Sequence, residues 1–209
     1  MDFIDHLNWR YATKKFDATK KVSAADLENL KEAIRLSPTS YGLQAHKILL
    51  VEDTATRAKL REVAWGQAQV TDASHLFVFC SYQDLTPAHV DELFELKAKA
   101  FGKEKSDFDQ YISFINGKVA EKTKAERAEW NARQTYIAMS NLLDACAALK
   151  IDACPMEGFD AKAVGEILDL DSKGLDATVL VTVGYRSSED ATQNYPKVRK
   201  PMSELFETI

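Results

Sequence analysis

Residues that interrupt regular secondary structure are scarce in this sequence. Its 209 residues include 8 glycines and 5 prolines, below the average usage of about 7% and 5% for these two types. Because glycine and proline form most special turns, the shortage predicts a helix-rich chain with few such turns. Cysteine is also scarce: Cys80, Cys146 and Cys154 are odd in number, form no C-x-x-C pair and have apolar neighbours. They are therefore interpreted as reduced core residues.

Long apolar runs are absent as well. The longest, at residues 48–51 and 76–80, are far shorter than the roughly 20 residues that span a bilayer, so no membrane association is predicted. Residues 1–5 show no basic region followed by an apolar one, so a cytoplasmic location is expected. The 27 basic and 32 acidic residues leave a net charge of −5, which disfavours nucleic acid as a partner.

Several motifs that would define a site are missing. The sequence has no G-x-G-x-x-G after a predicted strand, no G-x-x-x-x-G-K-[ST] and no G-x-S-x-G, which excludes classical Rossmann dehydrogenases, P-loop enzymes and nucleophile-elbow hydrolases. The four histidines, His6, His46, His75 and His89, lack metal-ligand spacing. They are interpreted as surface or strand-end residues, and no metal site is predicted.

The chain is organised as a single predicted domain, residues 1–209, because no flexible linker, repeat or low-complexity tract divides it. Helices are predicted at residues 2–11, 23–37, 54–65, 86–101, 106–122, 124–150 and 160–168, and strands at 46–52, 75–82 and 177–184. Residues 190–209 are expected to be extended. Since helices and strands do not alternate regularly, the predicted class is α+β with a small sheet.

The helix at residues 124–150 is the longest predicted element, and it contains neither glycine nor proline. A helix of this length spans roughly 40 Å, more than the diameter of a small domain. It is expected to be central, with part of its surface meeting another subunit. Its apolar residues recur near helical period: Trp130, Ile137, Leu142, Cys146 and Leu149.

Positive charge is concentrated at the two ends of the chain. Residues 1–21 carry five cations against three acids, and residues 191–203 carry three cations and no acid. Arg10 and Lys14 are four residues apart with the Thr13 hydroxyl between them, which suits a phosphate that needs several donors. Taken alone, this pair is more simply explained as cations at a helix C-terminus that face water.

Four motifs in order change that interpretation. Residues 10–16 (RYATKKF) match an R-x-S-x-K-x-F-like opening, and residues 37–46 (SPTSYGLQAH) match S-P-S-S-x-N-x-Q-P-W. Residues 155–159 (PMEGF) match P-[IVM]-E-G-F, and residues 197–199 (KVR) match K-x-R. Together they resemble the FMN-dependent NAD(P)H nitroreductase family, which includes oxygen-insensitive nitroreductases and dihydropteridine reductase-like proteins. The resemblance covers nearly the whole chain.

The resemblance implies a fold and a cofactor site. The fold is a small, mainly antiparallel central sheet flanked by helices, with a long central helix, in an intertwined homodimer that holds FMN at its interface. Arg10, Lys197 and Arg199 are expected to bind the FMN phosphate, and Lys14 to approach the pyrimidine edge of the flavin ring. Further cofactor-binding positions are Tyr11, Ala12, Thr13, Pro155, Met156, Glu157 and Gly158, with Pro38, Thr39 and Ser40 supplied by the partner subunit.

Lys14 and the main-chain amides of Glu157 and Gly158 are expected to tune the flavin, since an ammonium stabilises the negative charge of the reduced ring. Gly158 lets the main chain approach a flat ring. A further flavin contact is expected from Gln67 or Gln69, and the sequence does not choose between them. Substrate contacts are expected from Gln69, His46 and Phe114, whereas the aromatic stripe of Phe108, Tyr111 and Phe114 fits a core better than a lid.

Two departures from the family pattern affect the site. Ala12 stands where a serine often binds phosphate, so that contact is lost or is taken over by Thr13. Gly42, Ala45 and His46 replace the frequent Asn, Pro and Trp, which changes the lining of the substrate side.

The implied activity is hydride transfer from NAD(P)H through FMN to electron-poor acceptors such as nitroaromatics and quinones, by a ping-pong mechanism without a dedicated acid or base. The alternatives within the same fold are a pteridine reductase and a flavin-using dehalogenase. A different class of alternative is a binding module: a non-catalytic FMN carrier, or a helix-rich interaction protein.

Overall fold

A computed structural model of the chain describes residues 2–209. Within this range the helices are α1 Phe3–Trp9, α2 Ala24–Arg35, α3 Thr54–Val63, α4 Gln69–Asp72, α5 Pro87–Phe101, α6 Asp109–Ala120, α7 Lys124–Ala148, α8 Ala161–Leu168 and α9 Met202–Leu205. Short 3-10 turns lie at Ser40–Gly42, Lys105–Phe108, Asp171–Lys173 and Ala191–Asn194. None of the helices in residues 2–209 is long and apolar enough to cross a membrane.

The strands form one antiparallel sheet in the order β1-β2-β4-β3. Their bounds are β1 His46–Val51, β2 His75–Tyr82, β3 Asp152–Met156 and β4 Leu175–Gly184. The register places Leu49 opposite Val78, which in turn lies opposite Leu180. The α+β class and the small antiparallel sheet are thus confirmed. Strands β1 and β3 are the two outer strands of the sheet. Loops that connect to β1 and loops that connect to β3 therefore start at opposite edges of the sheet.

Helices cover both faces of the sheet because neighbouring residues of a strand point to opposite faces. Leu76 and Leu180 pack with α3 and α8, whereas Phe77 and Val181 pack with α2 and α7. A separate apolar cluster lies under α5 and α6; it includes Val90, Phe94, Ile112 and Ile115. Cys80, Cys146 and Cys154 are free and buried, which confirms their interpretation as core residues.

Capping side chains explain where several helices begin. The Ser23 hydroxyl accepts a hydrogen bond from the Asp26 amide at the start of α2, and the Asp160 carboxylate accepts one from Ala163 at the start of α8. Both satisfy main-chain donors that the first helical turn leaves unpaired. Helix α5 begins with Pro87 at its first position after Thr86, as the sequence predicts.

Three local predictions need correction. Helix α1 ends at Trp9, because Arg10 already has an extended conformation (ψ 145°) and the chain turns to run beside β3. Strand β3 and helix α4 were not predicted from the sequence. The segment 190–209 is not uniformly extended, since it contains the turn Ala191–Asn194 and helix α9.

The buried face of α7 also differs from the predicted one. It consists of Asn131, Thr135, Ala138, Leu142, Leu143, Cys146 and Ala147, whereas Ile137 and Leu149 are 39% and 38% exposed. A polar residue is tolerated on this face because the Asn131 side chain donates a hydrogen bond of 2.9 Å to the Tyr82 carbonyl. Small residues let the helix lie close to the sheet, and this moves Ile137 outward.

The aromatic stripe on α6 is likewise not a core. Ile112, Ile115 and Val119 are the buried residues of this helix, while Tyr111 and Phe114 are 42% and 49% exposed. Phe108 alone of the stripe is half-buried against the cluster under α5. The aromatic side chains therefore lie at the edge of this cluster, where two of them remain accessible.

Candidate functional site

The segment that follows α1 lies along the outer edge of the sheet. Ala12 forms a parallel bridge with Ala153 of β3, and the Thr13 amide donates to the Ala153 carbonyl at 3.3 Å. Phe16 then pairs with Arg186 after the end of β4. Ala12 and Thr13 thus lie against the edge of β3 and Phe16 against Arg186, and these contacts fix the main chain on either side of Lys14.

A single carboxylate ties this segment to the C-terminal part of the chain. Asp190 is 3% exposed, and its Oδ2 accepts hydrogen bonds from the Tyr11 hydroxyl (2.9 Å), the Lys14 amide (2.8 Å) and the Lys15 amide (3.1 Å). Burial acts to raise the pKa of Asp190, but the amide and hydroxyl hydrogen bonds hold it below its ordinary value. Burial and the same contact raise the pKa of Tyr11 to about 12.

A second link joins the two ends of the chain. The Lys197 ammonium donates a hydrogen bond of 2.7 Å to the Leu7 carbonyl and another to the Arg10 carbonyl. Its pKa is lowered by burial and by the charges of Arg10 and Arg199. The other two predicted phosphate-binding cations, Arg10 and Arg199, are therefore close enough to repel Lys197, and a bound anion would relieve that repulsion.

These residues border an open cleft of 520 Å³. Its lining comes from the end of α1 and from the C-terminal tail: Asn8, Trp9, Arg10, Tyr11, Ala12, Thr192, Gln193, Tyr195, Pro196, Lys197, Val198 and Arg199. The described lining contains two arginines and one lysine but no carboxylate. Five of the predicted cofactor-binding residues, Arg10, Tyr11, Ala12, Lys197 and Arg199, are thus brought together in one basic cleft.

The side chain of Thr13 does not belong to that lining. Thr13 is fully buried, and its hydroxyl lies 3.5 Å from Asp152 Oδ1. Asp152 in turn accepts hydrogen bonds of 2.7 Å from the main chain and from Nε of Arg186, whose guanidinium lies over the rings of Trp9 and Tyr11. This arrangement supports the cleft from beneath and keeps the Thr13 hydroxyl away from a ligand.

At the end of β3 the chain turns across the loop that precedes α4. The Gln67 side-chain amide donates to the carbonyls of Ala64 (3.0 Å) and Gly158 (2.8 Å). A Cβ added at Gly158 would lie 2.7 Å from the ring of Trp65. An alanine at this position would therefore require the indole to move, and the flat ring against the Gly158 main chain in this structure is that of Trp65.

Gln69 occupies a different environment from Gln67. It is 7% exposed on α4, beside the Cys154 thiol of β3. Burial raises the pKa of that thiol, while the Lys14 ammonium and the Gln69 side chain act in the opposite direction. Lys14, Gln69 and β3 therefore converge. Met156, by contrast, buries its side chain in the core, so it can reach the site only through its main chain.

Glu157 is held from the opposite side by the long helix. The Tyr136 hydroxyl of α7 donates a hydrogen bond to the Glu157 carboxylate. Burial and this carboxylate raise the pKa of Tyr136 to about 12. The segment 155–158 is thereby fixed by α7 on one side and by Gln67 on the other.

Residues 38–46 lead into β1, the other outer strand. The Ser40 amide donates to Gln134 Oε1 at 2.9 Å, and the Trp130 indole donates to the Ser40 hydroxyl at 3.2 Å. Tyr41 has a left-handed φ of 57° and packs edge-on against Trp130 and Phe114. Phe114 thus borders the Ser40 turn.

The turn also leads to His46 at the start of β1. Burial lowers the pKa of His46, and its Nδ1 is buried without a hydrogen-bond partner. Phe114 and His46 therefore lie on the side of Pro38, Thr39 and Ser40, not beside the basic cleft of the same chain.

The chain thus combines a small antiparallel sheet, a basic cleft next to one outer strand and a half-buried turn that leads into the other. The chain belongs to the nitroreductase family, whose family model matches residues 7–185. It is similar to a protein of Staphylococcus epidermidis provisionally named an NAD(P)H nitroreductase, with 35% identity over 99% of this chain and 96% of the relative. The family resemblance and the assignment as an oxidoreductase enzyme are thus confirmed.

Solved structures show the same fold. A Bacillus subtilis protein provisionally named a nitroreductase matches with a TM-score of 0.89 and 24% identity, covering 99% of this chain and 98% of that one. A similarly named protein of Exiguobacterium sibiricum, solved in complex with FMN, matches with a TM-score of 0.85 and 18% identity over 100% and 98% of the two chains. The nitroreductase-like fold is confirmed by these similarities.

Sequence reasoning missed Asp190, the Asp152–Arg186 pair and Trp65. Asp190 and Asp152 are single acids without a local pattern, and their partners lie far away in the sequence. Trp65 precedes Gly66 in a stretch where both residues have positive φ. A bulky residue in that conformation is uncommon, but the sequence alone does not show the conformation.

Proposed function

We propose that this chain is an FMN-dependent oxidoreductase that takes hydride from NAD(P)H and delivers it to electron-poor acceptors such as nitroaromatics and quinones, in two successive half-reactions at one open site. The observation that carries the proposal is the basic cleft of Arg10, Lys197 and Arg199, whose lining residue Ala12 pairs with Ala153 of β3. The FMN complex of the Exiguobacterium relative and the provisional name of the Staphylococcus relative support the same function.

The residues of the cleft fit a phosphate monoester. Arg10 and Arg199 offer forked donors and Lys197 a point charge, and the described lining of the cleft contains no acid that would repel the anion. The lowered pKa of Lys197 reflects burial and the nearby cations, and a bound phosphate dianion would restore its preference for the charged form.

Each residue then has a defined task. Arg10, Lys197 and Arg199 hold the phosphate, and the tail around Thr192 closes the cleft. Lys14, anchored through its main chain on Asp190, carries a positive charge toward β3 and stabilises negative charge that develops there. FMN, when bound, supplies the carrier that accepts and returns two electrons. The main chain at Glu157 and Gly158, fixed by Tyr136 and Gln67, offers amides toward the ring.

We also propose a homodimer in which the partner subunit supplies Pro38, Thr39 and Ser40. The supporting observation is the apolar surface that a single chain leaves exposed. Phe3 and Ile4 of α1 are 60% and 59% exposed, and Ile137 of α7 is 39% exposed. Val198, Met202, Leu205, Phe206 and Ile209 of the tail are 61% exposed or more. Large apolar side chains that are this exposed in one chain are expected to be covered in a subunit interface.

The function is tested by reconstitution with FMN, followed by anaerobic addition of NADH or NADPH and then of a quinone or a nitroaromatic. We expect a yellow protein that is bleached by the nicotinamide and regains its colour with the acceptor. A colourless protein that takes up no FMN would contradict the proposal. A yellow protein that neither nicotinamide bleaches would indicate an FMN carrier.

Substitution of Arg10 tests the phosphate assignment. Arg10→Ala removes a forked donor, so FMN affinity should fall about tenfold or more, as measured by quenching of flavin fluorescence. Lys59→Ala, which removes an exposed cation on α3, serves as the control and should leave the affinity unchanged. Equal affinity in the wild type and Arg10→Ala would remove Arg10 from the site.

A further inference from the structure

One buried carboxylate connects the two halves of the cleft. Asp190 accepts hydrogen bonds from residues 11, 14 and 15 near the N-terminus and, through Oδ1, a 3.0 Å bond from the Thr192 amide in the tail. The donors come from segments more than 170 residues apart in sequence. The Lys15–Glu189 ion pair joins the same two segments, but both of its side chains are exposed, whereas Asp190 is buried.

We infer that Asp190 is a positioning residue for the flavin site: it locks the arm that carries Arg10 and Lys14 against the tail that carries Lys197 and Arg199, so that all four cations face one ligand. This inference rests on the proposed function. Its consequence is that Asp190 determines affinity for the phosphate end of FMN without touching the ligand.

The chemistry of the contact explains why a carboxylate stands here. Three donors converge on Oδ2 alone, and an ionised carboxylate is an acceptor at both oxygens, whereas an asparagine amide would present donors on one side. Hydrogen bonds to a charged acceptor are also stronger than those between neutral groups.

The same contact leaves the cationic side chains available for a ligand. Asp190 takes main-chain hydrogen bonds from Lys14 and Lys15, and the Lys15 ammonium pairs with Glu189 instead. The negative charge of Asp190 is thus matched by amide dipoles and the Tyr11 hydroxyl. No hydrogen bond or ion pair in residues 2–209 joins the Lys14 ammonium to the Asp190 carboxylate, which binds Lys14 through its main chain.

Further hydrogen bonds hold the tail between Asp190 and Lys197. The Gln193 side-chain amide donates to the carbonyls of Ser187 (3.3 Å) and Asp190 (2.9 Å). Four residues later, Lys197 binds the carbonyls of Leu7 and Arg10. Without the Asp190 anchor, main-chain pairing would still hold residues 15–17 against residues 185–187. The tail beyond residue 190 would then depend on Lys197, and the lysine is also needed for the phosphate.

The test compares FMN with riboflavin, which has the same ring but lacks the phosphate. In Asp190→Asn we expect affinity for FMN to fall about tenfold or more, because a buried charged acceptor is lost, while affinity for riboflavin changes by less than about threefold. Tyr11→Phe, which removes one of the three donors to Oδ2 and keeps the charge, should show a smaller loss of the same kind. Both affinities are measured by fluorescence titration.

Asp53→Asn is the matched control, since Asp53 also accepts an amide hydrogen bond but caps only its own helix, α3. It should leave both affinities unchanged. Parallel losses for FMN and riboflavin in Asp190→Asn would show a fold-wide effect and overturn the inference, as would unchanged FMN binding. If Asp190→Asn does not fold, Tyr11→Phe decides by the same criterion. If the wild type binds no FMN at all, the proposed function itself fails, and the inference with it.

Discussion

At the scale of single residues, Gly158 shows how a side chain from another loop can determine which residue is tolerated. The contact with Trp65 forbids a Cβ unless the indole moves, and Trp65 is 77% exposed. The ring therefore has room to turn away into solvent. The constraint on Gly158 is steric and local; the structure gives it no positive φ that would demand glycine for backbone reasons.

Gly158→Ala is accordingly expected to cost less than about 1 kcal/mol in the free energy of unfolding, because only an exposed ring must shift. The displaced indole should become more accessible to iodide, and FMN binding should weaken because the hydrogen bond from Gln67 is disturbed. Chemical denaturation and quenching of tryptophan fluorescence measure the first two effects.

The matched control is Gly165→Ala in α8, where an added Cβ meets nothing within 4 Å. This variant should gain stability of up to about 1 kcal/mol through helix propensity, with unchanged quenching. A loss of more than about 3 kcal/mol in Gly158→Ala would show that Trp65 cannot move.

Lys197 offers a test through pH. Because burial, Arg10 and Arg199 lower its pKa, the ammonium loses its proton at a pH below the ordinary lysine value of about 10.4. Below the lowered pKa the residue is charged and binds phosphate. FMN affinity should therefore fall as pH rises through that value.

Lys197→Arg keeps its charge throughout this range, so its FMN affinity should lack this component of the decline. Titration of flavin fluorescence between about pH 7 and 10 measures both proteins, and ionisation of the flavin itself affects both equally. Identical pH profiles for the two proteins would mean that Lys197 does not titrate in contact with the phosphate.

At the scale of elements, the sequence was most informative where a local signal is sufficient. Ser23, Asp160 and Pro87 mark helix starts through capping chemistry that acts within one turn. Strand β2 was predicted with the observed bounds because its β-branched and aromatic residues form a continuous buried run. Such features depend on residues a few positions apart.

Strand β3 was missed for a physical reason. It has five residues and contains Pro155, and proline argues against a strand because it lacks a main-chain donor. The structure accommodates it because β3 is an outer strand of the sheet. That position follows from pairing with β4, which the local sequence does not encode.

In the candidate site, too, residues within local motifs were predicted and residues held by long-range contacts were not. Arg10, Lys14, Lys197 and Arg199 were found through motifs, and the cleft brings three of them together. Asp190 was not predicted as a site residue, because its contacts to residues 11–15 join positions far apart in the sequence. The buried face of α7 was also not predicted. Ile137 fits the apolar period of the helix, but packing against the sheet leaves it exposed.

At the scale of the whole molecule, the net charge of −5 is an average over an uneven distribution of charge along the chain. Both basic ends of the chain meet in one cleft, so a protein that repels polyanions still offers a positive site to a single phosphate. The second half of the proposed site, residues 38–40, leads into β1, the outer strand opposite β3. In the proposed homodimer each chain would contribute one part of each of the two pockets.

This arrangement predicts that flavin binding and dimerisation are linked. The double variant Leu205→Ser, Phe206→Ser removes two exposed apolar side chains of the tail and should weaken the dimer about tenfold or more, as expected for interface anchors. FMN occupancy should fall on dilution over the same concentration range, because the partner's contribution is lost with the dimer.

Sedimentation equilibrium and flavin fluorescence, recorded across a dilution series, measure the two quantities on one sample. The control is Leu96→Ser, Phe101→Ser on α5, which removes side chains of similar exposure, 68% and 64%, from a surface not assigned to the interface. This control should change neither dimer dissociation nor FMN occupancy across the dilution series. A wild type that is monomeric while fully loaded with FMN would show that one chain suffices, and residues 38–40 would then need a role other than completing the partner's pocket.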